Sequence, residues 1–323
     1  MNLINDFEQN KVLNFNNLDK ITETLLSKIL FFGDTVCKLY KWQKAFYGDL
    51  SDIDFRKKFI SEDFFWNNIM SPDIYIKLLF LKYNNNQWEE SSIENADDLC
   101  IVMNRLKSEK TLTDFAENKK ITPDILEKFA NMIINKQRKI TEFRKKELSV
   151  LFNQDLKDIE KEAIEDLRSW AYMAKDQLPK EKTDYVVGKL LSILSLSEYR
   201  DWQKKAQKSA CIDGNGDNVI ITQSGKILFI DILPPKFNWR VEDEVLNLAR
   251  AAADISALTN NTSYSDVLYK SYEKLTGLEV PSVIRKLYET RGAMIQAAYR
   301  IILNQSSRAK KYLDFVEQQI SNL

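Results

Sequence analysis

Three oxygen-bearing side chains between residues 213 and 231 have the types and the spacing that phosphoryl transfer from a nucleotide needs. Asp213 and Asn218 follow the pattern D-x-x-x-x-N in a polar loop, and Asp231 ends the strand–turn–strand stretch that comes next. One carboxylate can accept the proton of an attacking hydroxyl, while an Asn oxygen and a second carboxylate can hold Mg²⁺ against the phosphates. None of these tasks requires an imidazole.

The same loop has other interpretations that its residue types allow. Residues 215–218 (NGDN) are typical of a tight turn. The run that starts at Asp213 resembles the start of a calcium-binding loop, but the twelfth position of such a loop carries Glu and here is Ser224. Residues 224–226 (SGK) do not form a phosphate-binding P-loop, because Ile220 stands where that motif has Gly.

The composition excludes several classes of enzyme and favours a helical protein. The 323 residues include no histidine, which rules out Ser-His-Asp and Cys-His nucleophile systems and His-ligated zinc or haem. Only 8 Gly and 6 Pro occur, which favours long helices over a Gly-rich β-sandwich. Lys plus Arg and Asp plus Glu both number 47, so the charge gives no reason to expect a nucleic-acid or membrane partner.

The cysteines and the apolar runs predict a cytoplasmic protein. Cys37, Cys100 and Cys211 are far apart and odd in number, which suits free thiols in a reducing compartment. The first residues lack the basic and apolar regions of a signal peptide. The most apolar runs, such as residues 76–81, are too short to span a bilayer.

The first hundred residues predict a small sheet with one long helix. Two β-prone runs flank Gly33 and Asp34, a pattern that predicts a hairpin. Residues 51–70 carry charged and aromatic residues at helical spacing, and Pro72 sets the end of that helix. The strands are predicted at residues 29–32, 35–40, 74–82 and 99–103.

The rest of the chain predicts mainly helices. Thr111 and Thr122 can cap helices, and Pro123 occupies a first helical position that tolerates proline. The helical pattern reaches residue 208 and resumes after Arg240. We therefore expect an α+β protein of two lobes. The expected segments are a sheet-bearing N-terminal lobe (1–105) and a helical C-terminal lobe (106–323) with a polar loop (211–218) and a hairpin (219–231).

Further motifs extend the pattern over nearly the whole chain. The matching segments, in order, are residues 32–41 (FGDTVCKLYK), 56–75, 102–112, 231–243 and 288–299. Together with the loop, they resemble the protein-kinase-like fold. More specifically, they are similar to a poorly characterised branch of the aminoglycoside phosphotransferase-related family of bacterial small-molecule kinases. That family has an H-G-D-x-x-x-x-N loop followed by a hairpin that ends in I-D.

The resemblance implies a nucleotide-binding role for the N-terminal lobe. Lys38 would hold the α- and β-phosphates of ATP. An acid on the following helix would orient this lysine, and Glu62 is preferred to the adjacent Asp63. Met103 and its neighbours would face the adenine.

The resemblance also implies the catalytic roles. Asp213 would be the catalytic base, and Asn218 and Asp231 would be ligands of Mg²⁺. Arg240 and Asp243 would brace the loop. The expected cofactors are therefore ATP, or another nucleoside triphosphate, and Mg²⁺.

Two departures from the family pattern leave an alternative open. The first departure is that Cys211 stands where the family's loop has a histidine. A second register makes Asp217 the base, but the metal-binding Asn would then fall at Thr222, so Asp213 is preferred because it keeps the loop length. Residues 25–28 (LLSK), where the nucleotide loop belongs, also lack glycine.

We therefore expect an ATP–Mg²⁺-dependent phosphotransferase that acts on a hydroxyl of a small-molecule acceptor. The alternative is a pseudokinase that binds a nucleotide or a protein partner without turnover, which the changed loop and the missing glycines favour. The helices of the second lobe carry no motif that identifies the acceptor.

Overall fold

The computed structural model of the chain describes residues 3–9, 12, 15, 17–45, 47–107, 110–174 and 177–321. The chain forms two compact units. The first unit comprises Met1–Glu109 and Phe229–Lys236, and the second comprises Lys110–Leu228 and Phe237–Leu323. The division therefore falls four residues after the expected one at 105, and the end of the predicted hairpin returns to the first unit.

The first unit is built on an antiparallel sheet, whose six described strands follow the order β1-β2-β3-β8-β6-β7. A two-stranded ribbon, β4-β5, accompanies it. The elements of this unit are α1 (Leu3–Glu8), β1 (Lys20–Glu23), β2 (Ser27–Phe32), β3 (Thr35–Tyr40), β4 (Lys44–Ala45), β5 (Gly48–Asp49), α2 (Ile53–Met70), β6 (Tyr75–Asn84), β7 (Gln87–Glu90) and β8 (Asp98–Asn104).

The predicted hairpin is confirmed, and its turn explains its glycine. Phe32 pairs with Thr35, so Gly33 and Asp34 form a two-residue connection between β2 and β3. Gly33 has φ +56°, a left-handed conformation that glycine adopts without the steric cost of a side chain. The same register places Lys38 opposite Ile29.

One face of the sheet carries the apolar core of the unit. Cys37 and Leu39 of β3 belong to this core, together with Leu3 and Phe7 of α1. Because side chains alternate along a strand, Lys38 points to the opposite face. On that face Tyr40 meets Phe59 of α2 edge-on, with ring centroids 5.4 Å apart.

Helix α2 has a buried stripe that is partly polar. Its N-cap Asp52 accepts a hydrogen bond from Phe55 N–H at 2.8 Å, and it ends at Met70, just before Ser71-Pro72. The predicted end of this helix is therefore confirmed. The buried residues recur three or four positions apart, as on one face of a helix: Arg56, Phe59, Ile60, Asp63, Trp66, Asn67 and Met70.

The second unit is mainly helical. Its elements are β9 (Lys110–Thr111), α3 (Leu112–Glu117), α4 (Pro123–Arg144), α5 (Ser149–Phe152), α6 (Leu156–Glu165), α7 (Leu167–Met173), α8 (Lys180–Ile193), α9 (Ser197–Gln203), β10 (Lys208–Ala210), β11 (Val219–Ile221), β12 (Ile227–Phe229, which ends at the first residue of the returning segment), β13 (Val241–Asp243), α10 (Leu246–Thr259), α11 (Ser263–Thr276), α12 (Ser282–Ile302) and α13 (Ser306–Ser321).

Helix α10 lies at the centre of this unit and is buried along almost its whole length. It contacts α3, α4, α11, α12 and α13. The predicted caps are confirmed, since Thr111 forms a capping box with Asp114 and Thr122 caps α4 with Pro123 at its first position. Among the described residues, no helix is both long enough and apolar enough to cross a membrane.

Two short strands of the second unit differ from the prediction. The helical pattern was expected to reach residue 208 and to resume after Arg240, but Lys208–Ala210 form β10, which pairs with β13 in antiparallel register. This pairing places Glu242 and Asp243 in the interior, where both are buried. Three-residue strands carry no readable periodicity, so the sequence pattern did not reveal them.

Candidate functional site

In the first unit, Lys38 is buried between two carboxylates. The residue is 4% exposed. Its Nζ lies 3.0 Å from Asp63 Oδ2 and 2.5 Å from Asp231 Oδ1. Burial alone would lower the pKa of Lys38, but the charges of Asp231 and Asp63 outweigh it and raise that pKa well above its usual value. The lysine therefore keeps its positive charge inside the unit.

The acid that orients Lys38 is Asp63, so the choice of Glu62 was wrong. Asp63 lies on the buried stripe of α2, whereas Glu62 is only half-buried. Successive side chains of a helix point about 100° apart, so only one of two neighbours can face the sheet. Asp63 also accepts hydrogen bonds from Tyr40 Oη at 2.9 Å and from Asn67 Nδ2 at 2.8 Å. The helical phase set by the apolar residues of α2 would have identified it.

Asp231 lies in a strained and well-anchored stretch of backbone. Its φ is +52°, a left-handed value that costs a non-glycine residue about 1 kcal/mol. Its N–H donates to Tyr75 Oη at 2.9 Å, and the Ile232 N–H donates to Asn67 Oδ1 at 3.1 Å. The Phe229 N–H donates to Ser71 Oγ at 2.9 Å. These bonds explain why residues 229–236 group with the first unit. The Asp231 side chain remains 59% exposed.

In the second unit, the polar loop is held by hydrogen bonds among its own residues. Asn218 Nδ2 donates to the Asp213 carbonyl at 2.8 Å, and Asn215 Nδ2 donates to Asp213 Oδ1 at 3.0 Å. The Asp217 N–H donates to Asn215 Oδ1 at 3.1 Å. Asp213 and Asn218 are thus brought together in one compact turn, with the Asp213 side chain 37% exposed.

The two candidate bases differ in their partners. Asp217 Oδ2 forms an ion pair with Arg300, whose side chain is buried and also donates to Gln305 Oε1 at 3.0 Å. The Asp217 carboxylate therefore has a structural partner. Asp213 also faces an arginine, Arg250, but at 3.8 Å, and its role as the base stays a prediction.

The loop is also held by α10, through Asp254, which the sequence did not identify as a functional residue. The Gly216 N–H donates to Asp254 Oδ2 at 2.6 Å, and Tyr312 Oη donates to Asp254 Oδ1 at 3.0 Å. A Cβ at Gly216 would lie 2.7 Å from Thr113 Oγ1, so the close packing requires glycine. Burial raises the pKa of Asp254 to about 7. The sequence signal that could have identified Asp254 is that it is an acid inside the alanine-rich run 251–255.

Cys211, at the position of the family histidine, is a packing residue. It is buried, and its Sγ lies 3.7 Å from Asn247 Oδ1. Burial raises the pKa of this thiol well above its usual range, which keeps it neutral. The Cys211 N–H donates to the Arg240 carbonyl at 2.9 Å, so the entry to the loop is fixed through the backbone.

Asp243 does not brace the loop with its side chain, contrary to expectation. Its Oδ2 accepts hydrogen bonds from Trp202 Nε1 at 2.5 Å and from Tyr288 Oη at 2.9 Å, in the core formed with α9 and α12. Its backbone pairs with Lys208 in β10, the strand that leads into the loop. Asp243 therefore supports the loop only through this strand pairing.

The expected adenine and nucleotide-loop positions lie in the sheet of the first unit. Met103 is half-buried near the end of β8, opposite Val36 of β3 and Tyr75 of β6. The turn between β1 and β2 is short, and the Thr24 N–H donates to the Ser27 carbonyl at 2.8 Å. Lys41 Nζ donates to the Thr24 carbonyl at 2.7 Å and further fixes this turn. The adenine role of Met103 stays a prediction.

The donor types present fit a hard divalent cation. Asp231 supplies a carboxylate and Asn218 an amide oxygen, both of which suit Mg²⁺. Within the described residues, no three Cys, Asp or Glu side chains cluster in a way that could hold a metal ion.

Solved structures of small-molecule kinases have a similar fold. The choline kinase LicA from Streptococcus pneumoniae is 12% identical, with a TM-score of 0.54 and all of both chains covered. The choline kinase from Cryptosporidium parvum Iowa II is 10% identical, with a TM-score of 0.56, covering 99% of this chain and 95% of that one. A thermostable mutant of aminoglycoside phosphotransferase APH(4)-Ia, in ternary complex with AMP-PNP and hygromycin B, is 12% identical, with a TM-score of 0.50 and 99% of each chain covered.

These likenesses confirm the predicted fold. The chain has a bilobal protein-kinase-like fold, with an antiparallel sheet in its N-terminal part and a mainly helical C-terminal part. No protein-family model matches the sequence. No curated protein matches it either.

Proposed function

We propose that this protein is an ATP- and Mg²⁺-dependent phosphotransferase that acts on a hydroxyl group of a small-molecule acceptor. The observation that carries the proposal is the Lys38 cluster, in which one buried ammonium group lies 3.0 Å from Asp63 and 2.5 Å from Asp231. Burying a charge is costly, so a purely structural role would be served at lower cost by apolar residues. The fixed ammonium group of Lys38 is suited to binding phosphates, and the partly exposed Asp231 carboxylate beside it is suited to binding their metal ion.

The proposed reaction is an in-line transfer. The acceptor oxygen forms a bond to the γ-phosphorus of ATP while the bond from that phosphorus to the β–γ bridging oxygen breaks. The hydroxyl proton moves to the Asp213 carboxylate, and ADP departs. Lys38 would neutralise the α- and β-phosphates, and Asp231 and Asn218 would hold Mg²⁺, which supplies charge neutralisation on the phosphates.

Structural neighbours support the substrate class. Two of them are choline kinases, and the aminoglycoside phosphotransferase was crystallised with a nucleotide analogue and hygromycin B. For this chain we therefore propose a nucleoside triphosphate as donor and a small hydroxyl compound as acceptor. Screening hydroxyl-bearing metabolites for ATP-dependent phosphorylation would identify that acceptor. The three cysteines are free, which supports the reducing cytoplasm as its location.

The decisive experiment measures ATP turnover with and without the proposed groups. The wild type should hydrolyse ATP slowly in the presence of Mg²⁺, and Asp213→Asn and Asp231→Asn should each lower kcat by about 100-fold or more. Asp217→Asn is the matched control, because it lies in the same loop but its carboxylate pairs with Arg300. If Asp217→Asn alone abolishes turnover in a protein that keeps its melting temperature, the base is Asp217. If neither Asp213→Asn nor Asp231→Asn changes turnover, the proposal is wrong.

The second candidate function is a pseudokinase, favoured by the short β1–β2 turn. A glycine-rich loop is absent there, and Lys41 fixes the turn by a hydrogen bond of 2.7 Å to the Thr24 carbonyl. A pseudokinase that binds nucleotide should be stabilised by ATP and Mg²⁺ in a thermal-shift assay, because a ligand of the folded state raises its stability by mass action. It would, however, show no turnover. Stabilisation together with turnover that Asp213→Asn abolishes would exclude this alternative.

A further inference from the structure

A row of alternating charges runs through the interior of the second unit and ends at the candidate base. Arg291 of α12 donates to Glu160 Oε1 of α6 at 2.6 Å and, through its other terminal nitrogen, to Glu242 of β13. All three side chains are buried. Since a buried charge needs an opposite partner in a fixed geometry, these residues hold one another in place.

Arg250 of α10 continues the row towards the loop. One terminal nitrogen lies 3.9 Å from Glu242 Oε1, and the other lies 3.8 Å from Asp213 Oδ1. The latter nitrogen also donates to the Ile212 carbonyl at 3.4 Å. The Arg250 side chain is only 13% exposed. Its guanidinium group is thus enclosed between a fixed carboxylate and the backbone and side chain of the loop.

The contacts of Arg250 and Asn215 fall on the same oxygen of Asp213. Asn215 Nδ2 donates to Oδ1 at 3.0 Å, and the Arg250 guanidinium faces that oxygen from α10. Two contacts on one oxygen restrict the rotation of the carboxyl group. A general base works only when it lies within hydrogen-bond reach of the proton that it removes, so this orientation bears directly on the rate.

We propose that Arg250 is a positioning residue, which holds the Asp213 carboxylate in the orientation that accepts the proton of the acceptor hydroxyl. The inference rests on the proposed function, in which Asp213 is the base. The buried row explains why an arginine at position 250 can orient the Asp213 carboxylate. Glu242 is fixed by Arg291 and Glu160, so it gives the guanidinium a rigid support.

Arg250→Met is a clean test, because Glu242 keeps Arg291 as its partner and no buried charge loses its only counterion. We expect kcat for ATP hydrolysis to fall about 100-fold, the loss that a misplaced catalytic group causes. The KM for ATP should stay within about twofold, since the lost interaction does not bind the nucleotide. Arg250→Lys should retain part of kcat, because it keeps the charge but not the planar fork.

Chemical rescue separates positioning from a general effect on folding. Millimolar guanidinium chloride should raise kcat of Arg250→Ala in a saturable manner without raising its melting temperature. Arg308→Met, which breaks an ion pair with Glu117 in the same unit, is the control. It should keep the wild-type kcat and gain nothing from guanidinium.

The outcomes distinguish this inference from the function on which it rests. Wild-type kcat in Arg250→Met, in a protein whose turnover Asp213→Asn abolishes, overturns the inference and leaves the function intact. So does a loss of kcat that parallels a loss of folded protein and that guanidinium does not restore. If Asp213→Asn has no effect on turnover, the proposed function fails, and the inference fails with it.

Discussion

Lys38 and Asp63 are both buried in the first unit, and the charge of each depends on the other. Their charged atoms lie 3.0 Å apart, and Asp63 accepts two further hydrogen bonds. Removing one member of a buried pair is more costly than removing both, because the remaining charge is stranded away from water. The stability of this unit therefore reports on the same residues that we propose to bind the nucleotide.

This pairing predicts an asymmetry between single and double variants. Lys38→Met should lower the free energy of unfolding by about 3–5 kcal/mol, because it strands the Asp63 carboxylate. The double variant with Lys38→Met and Asp63→Asn should recover a clear part of that loss, since no charge is then stranded. Urea unfolding followed by circular dichroism measures both. Equal destabilisation of the single and double variants would contradict the assignment of Asp63 as the partner.

The loop packs closely at Gly216 because this residue has no side chain beyond a hydrogen atom. Its N–H donates to Asp254 at 2.6 Å, and the space for a Cβ is taken by Thr113 Oγ1 at 2.7 Å. Any side chain must push the loop away from α3 and α10. The position of Asp213, three residues earlier, depends on that packing.

Gly216→Ala should therefore lower ATP turnover by about 10-fold or more, because a shift of about 1 Å in a catalytic group costs up to about 100-fold. Gly188→Ala is the matched control, since a Cβ there meets no atom within 4 Å in the middle of α8. It should raise stability by about 0.5–1 kcal/mol and leave turnover unchanged. Similar turnover in the two variants would argue against the tight loop packing.

At the scale of the elements, the sequence predicted those parts that depend on local signals. The β2–β3 hairpin follows from Gly33, the end of α2 from Pro72, and the start of α4 from Thr122 and Pro123. Each signal acts within a few residues through backbone geometry or capping. For this reason these boundaries could be predicted without knowledge of the tertiary structure.

The missed elements and residues depend on distant partners. Strands β10 and β13 exist only because residues 208–210 and 241–243 pair with each other. The brace of Asp254 and the row through Arg291 join residues far apart in the chain, by bonds to Gly216, Tyr312 and Glu160. The choice between Glu62 and Asp63 required only the phase of α2, which the apolar residues of that helix define.

Across the second unit, buried carboxyl groups determine how stability should vary with pH. Burial raises the pKa of Asp254 and of Glu289 to about 7, against a usual value of about 4 for a carboxyl group. Between pH about 4 and pH about 7, the folded state therefore binds more protons than the unfolded state does. The contribution of each group to stability is full below pH about 4 and is lost as the pH rises through about 7.

A comparison of wild type and Glu289→Gln isolates this effect from other titrations. Glu289 accepts a hydrogen bond from Tyr269 Oη at 2.8 Å, and Gln can accept the same bond without a charge. The melting temperature of the variant relative to wild type should therefore rise between pH 5 and pH 8. A difference that stays constant over this range would show that Glu289 titrates near its usual pKa.

The return of residues 229–236 to the first unit has a consequence for the order of biosynthesis. Asp231, one of the two carboxylates that hold Lys38, is 193 positions further along the chain. The N–H groups that bond to Ser71, Tyr75 and Asn67 belong to the same late segment. A growing chain therefore carries Lys38 and Asp63 without these partners until residues 229–236 have left the ribosome. During that interval Lys38 has only Asp63 to balance its charge, and the proposed nucleotide site is completed after most of the second unit has been made.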